Sequence, residues 1–79
     1  MTGGVYLYFG HTMLTKGSFD DLERLGILPQ EGLQLTFYDL DADDQNRPTY
    51  LCAEGELHQD EGGHWHAIVK ESTFRSVLR

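Results

Sequence analysis

The sequence predicts a mainly β (α+β) fold: a small antiparallel meander of about four to five strands with one short helix near residues 18–25. Three observations carry this expectation. Leu33-Gln34-Leu35-Thr36-Phe37-Tyr38 alternates apolar with polar residues, the period of a strand buried on one face. Two further runs, Thr49 to His58 and His64 to Val69, flank Gln59-Asp60-Glu61-Gly62-Gly63, whose glycine pair marks a turn. The three runs also admit a consistent pairing. With Tyr38 opposite Tyr50 and His58 opposite His64, the residues Leu33, Leu35, Phe37, Leu51, Ala53, Leu57, Trp65, Ala67 and Val69 fall on one face. A slip of one residue would turn a whole strand over, so the agreement between the two pairings supports the sheet.

The elements follow in chain order. Val5-Tyr6-Leu7-Tyr8-Phe9 is β-branched and aromatic, with Val5, Leu7 and Phe9 on one face and Tyr6 and Tyr8 on the other. Gly10 ends it. Ser18 is a candidate N-cap with Asp21 at capping-box spacing, and Gly26 closes the helix. Asp20, Asp21 and Glu23 then lie near the positive helix end and Arg24 near the negative one. Phe19, Leu22 and Leu25 form its apolar stripe. Pro29 to Gly32 is a turn, and Asp41–Pro48 is a loop by composition. Gly55, inside the second run, marks a bend or a close backbone approach. The tail Ser72–Leu78 reads as a short helical turn and a final strand.

This order, together with Tyr38-Asp39, resembles small SH3-like barrels in outline. Trp65-His66 stands where those domains have tandem Trp, and a Pro-x-x-Tyr is missing near the end, so no SH3 ligand residues carry over. A flat sheet with one helix across it is the competing architecture.

At 79 residues the chain is read as a single domain, 1–79. So short a chain buries only about 60% of its unfolded surface, and a metal or partner subunit is one way to add stability. The lone Cys52 excludes an internal disulfide and suits a reducing compartment. With no basic n-region in MTGGVYLYFG and no long apolar run, the expected location is cytoplasmic, away from membrane. The whole net charge of −7 falls in residues 39–61, where Asp39, Asp41, Asp43, Asp44, Glu54, Glu56, Asp60 and Glu61 meet a single base, Arg47. Such a surface repels nucleic acid and anionic lipid and favours a basic protein surface.

Four constellations are candidates for chemistry. Glu56, His58, His64 and His66 point away from the core in the pairing above and are acceptable zinc ligands, although the spacing is not a known metal signature. The plain alternative is a polar outer face; a pH-sensitive patch is the third reading. Asp39-Leu40-Asp41-Ala42-Asp43-Asp44 matches the first ligand positions of a calcium loop, then fails, with Asp44 where glycine is needed and Tyr50 where glutamate is needed. Cys52 lies between Tyr50 and Glu54, and its acidic neighbours argue against a nucleophile. No phosphate loop or Ser-His-Asp order is present, so an enzyme is not expected. Finally, Tyr38, Tyr50 and Ile68 face outward beside Cys52, as an interface would require. The leading expectation is therefore a non-enzymatic interaction module. It uses Tyr38, Asp41, Asp43, Asp44 and Tyr50 to dock a basic protein surface or to self-associate as a homo-oligomer. The alternative is a zinc-type domain built on the histidine hairpin.

Overall fold

A computed structural model describes residues 3–79; Met1 and Thr2, the start of MTGGVYLYFG, lie outside the described residues. The chain runs through β1 (Val5–Tyr6), α1 (Lys16–Leu25), β2 (Gln34–Ala42), β3 (Pro48–Gln59), β4 (Trp65–Val69), a 3-10 turn (Glu71–Thr73) and β5 (Arg75–Leu78). The strands make one sheet in the order β1-β2-β3-β4, and β5 takes the stretch of β3's second edge, residues 49–52, that β4 leaves free. β2, β3 and β4 are antiparallel neighbours, as expected. β1 corrects the all-antiparallel reading, because it lies parallel to β2 with Val5 beside Phe37 and Tyr6 beside Tyr38. The connection between them contains α1, and parallel neighbours require a long crossover of that kind.

Both sequence-derived registers are displaced by two residues. Tyr50 lies opposite Leu40 rather than Tyr38, and His58 opposite His66 rather than His64. An even displacement keeps every side chain on its expected face. The cause is the same at both hairpins. In Asp43-Asp44-Gln45-Asn46-Arg47, Asn46 N–H bonds the Asp43 carbonyl (2.9 Å) and Asp43 N–H bonds the Arg47 carbonyl (3.0 Å). In Asp60-Glu61-Gly62-Gly63-His64, Gly63 N–H bonds the Asp60 carbonyl (3.0 Å) and Asp60 N–H bonds the His64 carbonyl (2.9 Å). Asn46 (φ 59°) and Gly63 (φ 83°) hold the left-handed position that closes such a three-residue loop. In each turn the leading Asp also accepts two backbone N–H groups through Oδ1, from Gln45 and Arg47 or from Gly62 and His64, all at 2.9 Å. At the first hairpin the strands therefore run further into the turn than composition suggests, with Asp41, Ala42 and Pro48 in the ladder; at the second the five-residue turn is shifted by one residue, to 60–64.

The helix begins earlier than expected. Its N-cap is Thr15, and Ser18 is the third helical residue, buried, with its hydroxyl accepting the Thr15 N–H at 3.1 Å. Gly26 closes it as expected, in a left-handed conformation (φ 70°), and the Ile27 N–H returns to the Leu22 carbonyl. Leu22 and Leu25 face the core, whereas Phe19 is largely exposed.

Val5, Leu7, Leu14, Leu22, Phe37, Leu57 and Ala67 form the buried core, with Trp65, Leu35 and Val69 packed against it. Each fully buried Val, Leu or Phe stabilises the fold by about 1.5–3 kcal/mol relative to exposure. Gly55 lies in this face for the reason anticipated: a β-carbon there would stand 2.7 Å from the Ile68 carbonyl and 3.1 Å from the Phe37 ring. The N-terminal segment touches both sides of the sheet. Leu7 N–H bonds Tyr38, while Leu14 N–H bonds the Trp65 carbonyl and Ala67 N–H bonds the Thr12 carbonyl on the far edge of β4. Where β4 gives way to β5, the Thr73 hydroxyl accepts the Glu54 N–H (2.9 Å) and bridges the gap in the ladder. Among the described residues no helix is long and apolar enough to cross a membrane.

Candidate functional site

The face of the sheet opposite the core carries Thr36, Tyr38 and Leu40 on β2, and Tyr50, Cys52, Glu54, Glu56 and His58 on β3. It ends at the two Asp turns, one at each end of β3. The acid-rich segment is β3 with its flanks, so its charge is spread along the long axis of the molecule rather than gathered on one half.

At the centre of this face Tyr6, Tyr38 and Tyr50 form a row of edge-to-face rings, with centroids 5.9 Å and 5.5 Å apart. The Arg79 guanidinium stands 5.7 Å from the Tyr50 ring and extends the row. Gly17 lets the Tyr6 ring approach the helix, since a β-carbon there would meet it at 3.1 Å. The row is anchored by Asp21. Its Oδ2 accepts the Tyr6 N–H (2.9 Å) and the Tyr38 hydroxyl (2.8 Å), and Oδ1 accepts Arg24 (3.3 Å). Burial opposes ionisation of Asp21, but the Tyr38 and Tyr6 hydrogen bonds and Arg24 outweigh it and hold the carboxyl below its ordinary value. Burial, then the Asp21 carboxylate, pushes the Tyr38 phenol up to about 12. Tyr38 is thus tied into the fold, which leaves Tyr50 as the more available ring of the pair expected to bind a partner.

Cys52, which alternation places on the outer face with Tyr50 and Glu54, is not exposed there. It is completely buried, opposite Tyr38 on one side and Arg75 on the other. Ile68 is exposed but pairs with Glu56, about 20 Å along β3 from Tyr50, so it does not join the tyrosine row. The apolar residues that do join it are Leu40 and Val77, opposite Tyr50 on β2 and β5 and 56% and 44% exposed.

At the first tip, Asp41, Asp43, Asp44 and Arg47 line an open cleft of about 480 Å³. Their roles differ. Asp43 organises the turn, and its Oδ2 takes the Arg47 side chain at 2.7 Å; the Arg47 N–H above all holds this carboxyl below its ordinary value. Asp41 lies opposite Thr49 and therefore on the core side of the ladder, while its carbonyl accepts Arg79. Asp44 is exposed at the turn.

The opposite tip holds the histidines. His58 is flanked by Glu31 at Nδ1 and Glu56 at Nε2 (3.4 Å). His66 Nε2 bonds Asp60 Oδ2 (2.8 Å), and His64 Nδ1 lies 3.5 Å from Asp60 Oδ1. The His66 bond and the turn N–H groups draw the Asp60 carboxyl down to about 2. Glu31 also accepts the Gln59 N–H (2.9 Å), its chief cause of a lowered pKa, and so clamps the preceding turn onto β3. Each imidazole already faces a carboxylate, and among the described residues no three His, Cys, Asp or Glu side chains gather as a metal-holding group. A third region, between the tips, is a cleft of about 360 Å³ over Thr36, Glu54 and Lys70. Its Glu54 is satisfied by Thr36 (2.7 Å) and Arg75 (3.0 Å).

Three structural participants escape the sequence reading. Asp21 looks like a helix-dipole charge, Glu31 like a turn residue, and Arg79 carries no local signal. No protein-family model matches the chain, and no match to it is found among curated proteins or solved structures.

Proposed function

We propose that this chain is a small non-enzymatic interaction module whose outer sheet face and Asp43–Arg47 tip dock a basic protein surface. The observation that carries this reading is the adjacency of the Leu40–Tyr50–Val77 row to an open cleft lined by three aspartates and one already-paired arginine. An aliphatic or aromatic side chain fits the row, and a lysine or arginine beside it fits the cleft. Charge complementarity of this kind sets association rate and specificity more than affinity. We read the architecture as an SH3-like small barrel, because segments 5–7 and 12–14 bond to β2 and to β4 respectively. Zinc at Glu56, His58, His64 and His66 is the weaker reading, since carboxylates occupy the imidazoles.

The test is an NMR titration with a lysine-rich extended peptide at low salt, with association kinetics for Asp41→Asn/Asp44→Asn. Asp43 is left intact because it builds the turn. Amide shifts centred on residues 40–45 and Tyr50, with slower association of the variant that recovers toward wild type in high salt, are expected. Shifts centred on the Asp60 tip, or unchanged kinetics at low salt, refute the proposal.

A further inference from the structure

We infer that a second copy of this chain pairs with the open edge of β5, antiparallel and about a two-fold axis, so that two sheets become one. This edge lies beside the docking face but does not use the acidic tip.

Among the described residues β5 bonds to β3 on one side only, and all four of its residues are exposed. The Arg79 N–H bonds the Pro48 carbonyl (3.1 Å), which fixes the alternation: Arg75 and Val77 direct their backbone groups to β3, and Ser76 and Leu78 direct theirs outward. The far edge of β4, by contrast, is already occupied by residues 12–14. Unpaired outward N–H and C=O groups flanked by exposed apolar side chains are a template for another strand. Phe74 (40% exposed) and Leu78 (58%) supply such side chains on one face, and Val77 on the other.

Second, the strand is complementary to itself. With Ser76 opposite Ser76 of the second copy, Phe74 meets Leu78 of that copy on one face, and Val77 meets the stem of Arg75 on the other. Centring on Val77 instead would set Arg75 against Arg79 of the second copy, a like-charge pair.

Third, charge selects this edge. Residues 74–79 contain Arg75 and Arg79 and no acidic side chain, in a chain of net charge −7. No acidic side chain of this strand therefore faces the second copy, and the two-fold sends the Asp43 tips to opposite ends of the joined sheet. The seam is short, so it belongs with interfaces below about 1,200 Å², and a dissociation constant on the order of 10–100 µM is expected.

Sedimentation equilibrium of the full chain from low micromolar to millimolar concentration tests this. The mass should rise from 9.0 kDa toward twice that value and stop there. Added salt should tighten the dimer, because it screens the repulsion between two acidic chains, whereas it weakens docking of a basic partner. Leu78→Lys should weaken dimerisation at least tenfold. Ser76→Pro should do the same by removing an outward N–H that β3 does not use. Circular dichroism of both variants shows whether they remain folded. Asp44→Asn, which impairs only the docking tip, should dimerise at least as well as wild type. A wild-type chain still monomeric at millimolar concentration overturns the inference. So does a dimer indifferent to both folded edge variants, or assembly that continues past two copies.

Discussion

Replacement of Asp21 by alanine would show whether one carboxylate holds the helix to the sheet. The side chain is 15% exposed and accepts from the Tyr6 backbone, the Tyr38 hydroxyl and Arg24. A hydrogen bond to a charged group contributes about 1.5–3 kcal/mol. The Arg24 pair is half exposed on its cationic side and adds little. The Tyr38 hydroxyl can turn to water once its acceptor is gone, so Asp21→Ala should cost about 2–4 kcal/mol in all. That is a large part of the roughly 4–12 kcal/mol expected for a domain of this size. The midpoint of thermal unfolding should fall by about 10–30 °C. Urea unfolding at pH 7 measures the loss, with Asp20→Ala as the control. Among the described residues Asp20 pairs with the exposed Lys16, so its removal should change stability by less than about 0.5 kcal/mol. A double-mutant cycle with Tyr38→Phe should show a coupling of about 1 kcal/mol or more. The sign of the pH dependence is also set. Because the folded carboxyl titrates below its unfolded value, its stabilisation is present above the unfolded pKa and is lost as pH falls through the folded one. The gap between wild type and Asp21→Ala should therefore close in acid. Equal costs for the Asp20 and Asp21 variants, or no coupling to Tyr38, would refute the tether.

Two further outcomes follow from the geometry. Gly55→Ala should destabilise by about 1–3 kcal/mol in urea, because the new methyl group meets a backbone carbonyl that cannot move without breaking the β3–β4 ladder. Asp60→Asn should flatten the acid limb of the stability curve. The wild-type carboxylate stabilises the turn above its unfolded pKa near 4, and that contribution disappears as pH falls toward about 2; an unchanged acid limb would count against its role.

Much of the sheet was legible because strand periodicity is two. The faces of Leu35, Phe37, Ala53, Leu57, Ala67 and Val69 follow from alternation alone and survive a register error of two residues. The register itself was not legible. It depends on which turn residue adopts a left-handed conformation, and Asn46 and Gly63 each had competitors nearby in sequence. The parallel placement of β1 was hidden for a different reason: two residues of ladder leave no periodicity by which to judge direction.

In the candidate site, Tyr38, Tyr50, Asp43 and Asp44 were visible as residue types, but their duties were not. Asp43 looks like a free carboxylate and is bound within its turn; Tyr38 looks like an interface ring and is held by Asp21. The histidines were seen together because alternation places His58 and His66 on one face, yet Glu31, from a distant turn, is what meets His58.

The sequence alone determined the sheet's two faces, most of its core apart from Leu14, the glycine at the crowded β3–β4 crossing and the concentration of charge in one segment. These are properties of local period, side-chain volume and composition. Tertiary structure decided the hairpin registers, the burial of Cys52, the partners of each carboxylate and the open edge at β5. Each depends on which distant backbone or side chain arrives within a few ångströms, and that distance is set by the packed fold as a whole rather than by neighbours in the chain.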